Sequence, residues 1–299
     1  MRRKPVTDGL RSGATVTVVT PVFQMAGVVE ETIQSTLRNI GPRDEYFIVD
    51  GNSTDGTVDV IRRYEDRLAG WISEPDQGYA DALAKGFGRA KGDILCWINA
   101  GDLLLPGALD AARRALEETG ADMIFGDDFY IDENSRVIQF SRGYVRDLRT
   151  AMLYGGWTPL QDACFWRRDL YERVGGIDAS LRYAADYDLF LRMALHGKTA
   201  YVPIAFSAFR RHGGQKSIAG AAAYRWERFQ VRKRELDRSS EGTTVKLMRR
   251  AWGAAAVRWR VHVAQRGWMR ADLAGRPIDS FVAANYSTSV AGSDGDRNA

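Results

Sequence analysis

Residues 46–57 read YFIVDGNSTDGT, an apolar segment that breaks at Asp50 into a polar turn with two glycines. Similar breaks follow in SEPDQGYAD at residues 73–81 and in ILCWINAGD at residues 94–102. In an α/β sheet, ligands bind where the carboxyl ends of parallel strands present polar side chains. We therefore expect these three segments to form one polar site, suited to a cationic or metal-bridged ligand.

The first half of the chain alternates between two apolar patterns. Short apolar runs predict strands at residues 15–20, 46–49, 70–73, 93–98 and 121–125, and helical spacing predicts helices at residues 28–37, 58–64, 79–89 and 106–118. We expect Pro21 to end the first strand and Ser53 or Thr54 to cap the second helix. This alternation predicts an α/β fold with a mostly parallel, Rossmann-like sheet flanked by helices.

The pattern changes after Phe125. It predicts a hairpin at residues 129–131 and 137–141, a helix at 186–195, short strands at 200–203 and 205–209, and helical sequence from 221 to about 270. We therefore predict a main domain at residues 14–218 with a basic, amphipathic helical extension at residues 219–275. Residues 1–13 and 287–299 are predicted to be flexible termini.

The composition limits the class of protein. The chain has 299 residues, 45% of them hydrophobic and 27% charged, and no apolar run is long enough to span a bilayer. Its basic N-terminus lacks the apolar segment of a secretory signal. Cys96 and Cys164 lie in apolar segments without metal-ligand spacing, as free thiols of a cytoplasmic protein do, and three histidines argue against a His-rich zinc site.

The net charge of +4 is concentrated near the C-terminus. Residues 245–270 alternate apolar residues, including three tryptophans, with arginines. This pattern is typical of a helix that lies in a membrane interface, but it also fits packing on its own domain or on a second copy in a homodimer. A basic region implies an anionic partner, and membrane phospholipid is one candidate, with peripheral binding at the inner face of the cell membrane. No nucleic-acid partner is expected.

Five motifs, in this order along the chain, resemble glycosyltransferase family 2. They are VVTPVF at residues 18–23, IVDGNSTDGT at 48–57, EPDQG at 74–78, NAGD at 99–102 followed by Pro106, and YAADYDLFLR at 183–192. The resemblance covers roughly residues 14–215 and implies a GT-A fold and an inverting sugar transfer. It also implies a nucleoside-diphosphate sugar as the donor.

The resemblance assigns the first motifs to the donor. Asp50 would accept hydrogen bonds from a uracil-type base or a ribose hydroxyl, with the base walled by Thr20, Pro21 and Phe23. Alternatively, Asp50 and Ser53 only organise a turn and cap the next helix.

Asp76 opens a helix whose backbone N–H groups face an anion, and Lys85 lies two turns along it. The two residues would therefore contact the diphosphate of the donor. The alternative for Lys85 is an ion pair with Asp81 on a solvated helix face.

The motif at residues 99–102 occupies the position of the metal-binding acids of the family. Asp102 aligns with the carboxylate that contacts Mg²⁺ or Mn²⁺, whereas Asn99 and Gly101 stand where the family often has acids. One carboxylate together with substrate phosphates suits Mg²⁺. The alternative for Asp102 is a helix cap. His212, in the basic loop at residues 210–217, is a second expected contact to metal or phosphate, unless that loop is a solvated turn.

The last motif supplies the catalytic base by resemblance. Asp186 would remove the proton of the acceptor hydroxyl, although Ala185 replaces the acid that usually precedes it. The alternative is a carboxylate that complements a helix dipole. Trp157 and Gln161 lie in the region that borders the acceptor in the family, where Trp157 is equally compatible with a core aromatic.

These assignments predict an enzyme that transfers a sugar, from a UDP- or dTDP-linked donor, to a hydroxyl of a glycan or lipid-linked acceptor. The resemblance places this reaction in cell-envelope polysaccharide or glycolipid biosynthesis. Two alternatives stay open. A non-catalytic sugar-nucleotide or glycan-binding protein is compatible with the residues at Ala185 and Gly101, and a nucleotidyltransferase would need a phosphate loop that residues 20–24 lack.

Overall fold

The computed structural model describes residues 13–211, 220–238, 274–278 and 281. Its strands are β1 (Val16–Val22), β2 (Glu45–Asp50), β3 (Gly70–Ser73), β4 (Ile94–Trp97), β5 (Leu103–Leu104), β6 (Met123–Ile131), β7 (Val137–Ser141), β8 (Cys164–Arg167) and β9 (Thr199–Arg210). Its helices are α1 (Val29–Leu37), α2 (Thr57–Arg62), α3 (Tyr79–Phe87), α4 (Ala108–Thr119), α5 (Leu148–Leu153), α6 (Arg168–Arg173), α7 (Ala185–His196) and α8 (Ala221–Arg238). His212, the basic segment 245–270 and the termini 1–12 and 287–299 lie outside the described residues.

One sheet contains all the strands of the described residues, in the order β3-β2-β1-β4-β8-β6-β9-β5, with β7 added beside β6. Strands β3, β2, β1 and β4 are parallel neighbours, and β6 and β9 are also parallel. Strands β8, β7 and β5 pair antiparallel with their neighbours. The parallel block brings the carboxyl ends of β3, β2, β1 and β4 to one edge, as the sequence predicted.

The first strand continues through Pro21, so the prediction that this proline ends the strand is wrong. Pro21 is in register with Val49 of β2, and Val22 is in register with Asp50. The register with β4 stops at Val19, so beyond that point β1 has a strand neighbour on one side only. A proline is tolerated there because its missing N–H is not needed by a second neighbour.

Two long strands replace pairs of short predicted ones. β6 runs without a break through residues predicted as two strands, and so does β9. Their pairing shifts register between Phe125 and Asp127 and again before Asp128. A bulge bends a strand without ending it, so one long strand can include the residues that separate the predicted short strands.

The starts of two helices also differ from the prediction. Gly56, with φ of 98°, is the N-cap of α2, and neither Ser53 nor Thr54 caps that helix. Asp55 instead accepts a hydrogen bond from the backbone N–H of Thr57 at 3.0 Å. Similarly, Pro106 precedes the N-cap Gly107 of α4 and so lies outside the first turn.

Helices cover both faces of the sheet, and alternate strand residues point to opposite layers. Val18 and Ile48 pack in one core cluster, whereas Val19 and Val49 pack in the other. In the second cluster Trp97 of β4 stacks on Phe190 of α7 with ring centroids 5.5 Å apart. This buried contact fixes α7, and therefore Asp186, against the sheet.

The described residues contain no helix with both the length and the apolar character needed to cross a membrane.

The fit of α3 on β1 generates the first prediction. A Cβ atom at Gly86 would lie 2.4 Å from Cγ1 of Val19, which a side chain does not tolerate without movement. We expect Gly86→Ala to lower the free energy of unfolding by roughly 1–3 kcal/mol, because overpacking forces α3 away from the sheet. Urea unfolding measures this change.

Gly27→Ala is the matched control, because a Cβ atom there would meet nothing within 4 Å. Equal stability of the two variants would contradict the close packing of α3.

Candidate functional site

Asp50, the last residue of β2, is completely buried, and both of its carboxylate oxygens are engaged. Oδ2 accepts hydrogen bonds from the backbone N–H of Ser53 at 2.9 Å and from the hydroxyl of Ser73 at 2.6 Å. Oδ1 accepts the hydroxyl of Ser53 at 2.5 Å. In this structure Asp50 therefore organises the turn after β2 and ties it to β3, as in the alternative interpretation of the sequence.

Phe23 and Asp76 flank the backbone of Gly51 at the edge of the sheet. A Cβ atom at Gly51 would lie 2.7 Å from Asp76 Oδ2 and 3.3 Å from the ring of Phe23. Phe23 is 54% exposed, and Asp76 Oδ1 accepts the N–H of Gly78 at 2.9 Å. Because Gly51 has no side chain, the exposed ring of Phe23 and the carboxylate of Asp76 lie close together over its backbone.

The other residues predicted to bind the donor are occupied within the protein. Thr20 is completely buried, with its hydroxyl 3.0 Å from that of Tyr46, and Pro21 is buried within β1. Lys85 Nζ lies 2.8 Å from Glu74 Oε1 and 3.3 Å from Asp81 Oδ2, and the hydrogen bond to Glu74 raises the pKa of Lys85. These contacts match the ion-pair alternative for Lys85.

A side-chain bridge joins the end of β4 to the segment predicted to border the acceptor. Asn99 Nδ2 donates to Gln161 Oε1 at 2.7 Å, and Gln161 Nε2 donates to the backbone carbonyl of Trp97 at 2.8 Å. Asn99 Nδ2 also lies 3.4 Å from Asp102 Oδ2. Residues predicted for the donor, the acceptor and the metal thus meet at one place.

Three buried carboxyl groups cluster at this bridge: Asp102, Asp128 and Asp162. Burial, followed by the neighbouring Asp162 carboxylate, raises the pKa of Asp102 and of Asp128 well above the usual carboxyl range. Burial also raises the pKa of Asp162 to about 6, although hydrogen bonds from its own backbone and from Ser207 oppose this shift.

The buried side chain of Arg210 fastens this cluster to three neighbouring segments. Its backbone N–H donates to Asp102 Oδ1 at 2.9 Å. Its guanidinium donates to the carbonyl of Gly101 at 2.8 Å, to Glu31 Oε2 at 2.8 Å and to the carbonyl of Glu133 at 3.0 Å. Asp102 is therefore held by β9 and does not cap a helix.

Asp102 fits a divalent cation as a single protein ligand. Its Oδ1 accepts the backbone N–H of Arg210 at 2.9 Å, and its Oδ2 lies 3.4 Å from Asn99 Nδ2. Within the described ranges, no group of three or more His, Cys, Asp and Glu side chains is arranged to hold a metal ion. Among the described residues, Asp102 would be the protein ligand of such a cation, and substrate phosphates would supply further ligands, as they often do for Mg²⁺.

Asp186 is half-buried in the first turn of α7. Burial raises its pKa to about 6, while a hydrogen bond from the N–H of Tyr187 and the charge of Arg228 oppose the shift. The hydroxyl of Tyr79 accepts hydrogen bonds from the N–H groups of Ala185 at 3.0 Å and Asp186 at 3.4 Å. Since Tyr79 directly follows residues 76–78, the predicted base lies beside the predicted donor segment.

Asp188, two residues after Asp186, is engaged in ion pairs within the protein. It is completely buried and pairs with Arg192 and Arg234. Trp157 is half-buried, with its ring 6.2 Å from that of Phe125, so much of it belongs to the core.

Sequence reasoning missed three residues that hold the site together: Tyr79, Asp162 and Arg210. Tyr79 and Asp162 each directly follow a predicted site residue or motif, and that adjacency was the available signal. Arg210 was read as part of a basic loop, because nothing in the sequence shows that its partners surround it.

A family model described as Glycosyl transferase family 2 matches residues 17–175. An uncharacterized glycosyltransferase of Mycobacterium tuberculosis is 30% identical over 191 residues, which cover 62% of this chain and 71% of the relative. A PGL/p-HBAD biosynthesis glycosyltransferase of Mycobacterium bovis is 26% identical over 204 residues, which cover 66% of this chain and 77% of the relative.

Solved structures show the same fold. S. aureus TarS 1-349 in complex with UDP-GlcNAc superimposes with a TM-score of 0.63 at 15% identity, covering 80% of this chain and 71% of that one. The mannosyltransferase PcManGT from Pyrobaculum calidifontis, in complex with GDP-Man and Mn²⁺, gives 0.56 at 20% identity, covering 98% and 85%. The chain spans 41% of a longer TarS structure. The predicted GT-A fold is confirmed.

The raised pKa of Asp162 predicts how stability depends on pH. Folded Asp162 keeps its proton up to a pH of about 6, whereas the unfolded chain releases it near pH 4. The unfolded state therefore binds fewer protons between these values, and the free energy of unfolding falls as pH rises. We expect Asp162→Asn to reduce this fall by up to about 3 kcal/mol, measured by urea unfolding in EDTA.

Asp59→Asn is the control, because the Asp59 side chain is 81% exposed in its pair with Arg62. A pH profile of Asp162→Asn that is parallel to the wild-type profile would contradict the buried carboxyl cluster.

Proposed function

Because the chain belongs to glycosyltransferase family 2, we propose that it transfers a sugar from a UDP- or dTDP-linked donor to a hydroxyl of a glycan or lipid-linked acceptor, with inversion. The observation that carries the proposal is the contact between the segment of Asp76 and the helix of Asp186. Tyr79, which directly follows the Asp76 segment, hydrogen-bonds to the first turn of the helix that carries Asp186. A donor at Asp76 would therefore lie beside a carboxylate suited to act as a base.

The surface formed by Phe23, Gly51 and Asp76 is the proposed nucleoside site. The exposed ring of Phe23 offers a face for a base, and the carboxylate of Asp76 can accept hydrogen bonds from a base N–H or a ribose hydroxyl. Asp50 supports this site indirectly, because its hydrogen bonds to Ser53 fix the turn that contains Gly51. TarS and PcManGT, proteins of the same fold, are in complex with UDP-GlcNAc and GDP-Man, which supports a nucleoside-diphosphate sugar as the donor.

The proposed reaction needs one base. The acceptor oxygen attacks the anomeric carbon on the face opposite the diphosphate, while Asp186 takes the hydroxyl proton. The bond between the sugar and the diphosphate breaks as the new glycosidic bond forms, so the configuration inverts. A pKa of about 6 leaves Asp186 largely ionised at neutral pH and yet more basic than an ordinary carboxylate.

A divalent cation, Mg²⁺ or Mn²⁺, is proposed at Asp102, with His212 as a further ligand from outside the described residues. Such a cation would neutralise charge on the departing diphosphate. Asn99 would orient the Asp102 carboxylate through the 3.4 Å contact, while Gln161 fixes Asn99. The Mn²⁺ complex of PcManGT supports this proposal by likeness of fold.

The acceptor is proposed to be lipid-linked. The name of the M. bovis relative refers to PGL/p-HBAD biosynthesis, which supports a glycolipid setting. Helix α8 also exposes a stacked aromatic pair, Trp226 and Phe229, at 61% and 40% exposure with ring centroids 5.6 Å apart. Next to this pair in the chain is the exposed Arg225. Aromatic rings with a basic side chain suit the interface of a bilayer that contains anionic lipid.

The first test of this function replaces the base. We expect Asp186→Asn to lower kcat roughly 100- to 10,000-fold, as removal of a general base does. In the wild type, kcat should fall as the pH drops through about 6, because Asp186 then holds a proton. A panel of UDP-, dTDP- and GDP-sugars with Mg²⁺ or Mn²⁺ is assayed for sugar transfer to glycan and lipid-linked acceptors.

Asp169→Asn is the control, since this side chain is 65% exposed in a pair with Arg173. Unchanged turnover by Asp186→Asn would rule out the base assignment, and absence of wild-type transfer from every donor would overturn the proposed reaction.

The second test concerns the membrane. We expect the wild-type protein to cosediment with phosphatidylglycerol–phosphatidylcholine vesicles and the double variant Trp226→Ala, Phe229→Ala to bind at least about 10-fold more weakly, because two apolar side chains are lost. Ile138→Ala is the control, since Ile138 is an exposed apolar residue on β7. Equal binding by the aromatic variant and the wild type would contradict this surface.

A further inference from the structure

The helix that carries Asp186 has no capping side chain at its own N-cap. That residue is Ala184, and the first intrahelical hydrogen bond runs from the N–H of Asp188 to its carbonyl. The four N–H groups of residues 184–187 therefore have no backbone carbonyl partner within the helix. Whatever satisfies them also determines where the first turn, and with it Asp186, is held.

Glu227 of α8 supplies the first partner. Its Oε2 accepts hydrogen bonds from the N–H groups of Tyr183 and Ala184, both at 2.8 Å, and its Oε1 accepts that of Arg182 at 3.2 Å. A carboxylate at this end of a helix also interacts favourably with the helix dipole. One side chain from α8 thus engages three consecutive amides that lead into the first turn of α7.

Tyr79 and Asp186 accept the remaining N–H groups of the first turn. The Tyr79 hydroxyl accepts the N–H groups of Ala185 and Asp186 and donates to the carbonyl of Tyr183 at 3.1 Å. Asp186 Oδ1 accepts the N–H of Tyr187 at 2.7 Å. Since Oδ1 is tied to the backbone of its own helix, Oδ2 is the oxygen that we assign to the acceptor proton.

Buried charge fixes α8 against α7. Asp188 is completely buried between Arg192, with Nε at 2.9 Å from Oδ2, and Arg234 of α8. The guanidinium of Arg228 lies over the ring of Tyr187, 4.5 Å from its centroid. Because these contacts hold α8 in place, the carboxylate of Glu227 has a fixed position at the end of α7.

The charged and titratable groups around Asp186 come from several elements. They are Tyr79 of α3, Cys164 of β8, Tyr187 of α7, and Tyr224, Glu227 and Arg228 of α8. Arg228 lowers the pKa of Asp186, whereas the negative charge of Glu227 raises it. Removal of the Glu227 charge would therefore shift the titration of Asp186 to lower pH.

We propose that Glu227 is a positioning residue for the transfer reaction: α8 brings its carboxylate to the first turn of α7, where it holds Asp186 in place for the acceptor hydroxyl. The inference rests on the proposed function, because it concerns the same base. It makes α8, which begins well beyond the residues that match the family model, a part of the catalytic unit.

The test compares Glu227→Gln with Asp237→Asn, whose side chain is 65% exposed on the same helix in a pair with Lys233. We expect Glu227→Gln to lower kcat roughly 10- to 100-fold, because a small displacement of the base is costly. The KM for the donor should stay within about 2-fold of the wild-type value, since the proposed nucleoside site lies outside α7 and α8. The acidic limb of the kcat profile should move to lower pH, and Asp237→Asn should match the wild type.

A role confined to folding would lower the unfolding temperature of Glu227→Gln but leave kcat per folded molecule and the acidic limb unchanged, and that result would overturn the inference. If Glu227→Gln does not fold, Glu227→Asp is measured instead. Its shorter side chain should reduce kcat several-fold, and a wild-type kcat would overturn the inference. Absence of transfer by the wild type itself would count against the proposed function and not against Glu227.

Discussion

Buried carboxylates must find hydrogen-bond donors or cations inside the protein, and this requirement shapes the whole cleft. Asp50 is satisfied by Ser53 and Ser73, which joins the ends of β2 and β3. Asp102 takes the backbone N–H of Arg210, which joins the β4–β5 connection to β9. Asp188 pairs with arginines of α7 and α8. Each acid therefore links segments that are distant in sequence, and the cleft is assembled around them.

The same requirement explains which parts of the site the sequence revealed. The strand ends at Asp50, Asp76 and Asp102 were visible because an apolar run that breaks into acid and glycine is a local signal. The helix that carries Asp186 was visible from its apolar spacing, and the role of Asp186 came from the family resemblance. The contacts of these segments were not visible, because Ser73 reaches Asp50, Arg210 reaches Asp102, and Glu227 reaches the backbone before Asp186 only in the folded protein. Thr20 and Lys85 were predicted to bind the donor, because the local sequence pattern could not reveal that Tyr46 and Glu74 contact them.

The main errors of fold prediction also have physical causes. Pro21 was expected to break a strand, but one side of β1 has no strand neighbour there, so the missing N–H is not needed. The breaks predicted within β6 and β9 lie at register shifts inside long strands. At position 185 the sequence lacks the acid that the family resemblance led us to expect. The structure brings a different carboxylate, that of Glu227, to the same end of the helix.

Tyr79 has a consequence for how the cleft can move. Its hydroxyl gives its single proton to the carbonyl of Tyr183 and receives two amides in return, so its bonding capacity is used up. Sliding α3 past α7 would break all three bonds within a largely buried setting. We therefore expect α3 and the first turn of α7 to move together, and any opening or closing of the cleft to take place at other boundaries.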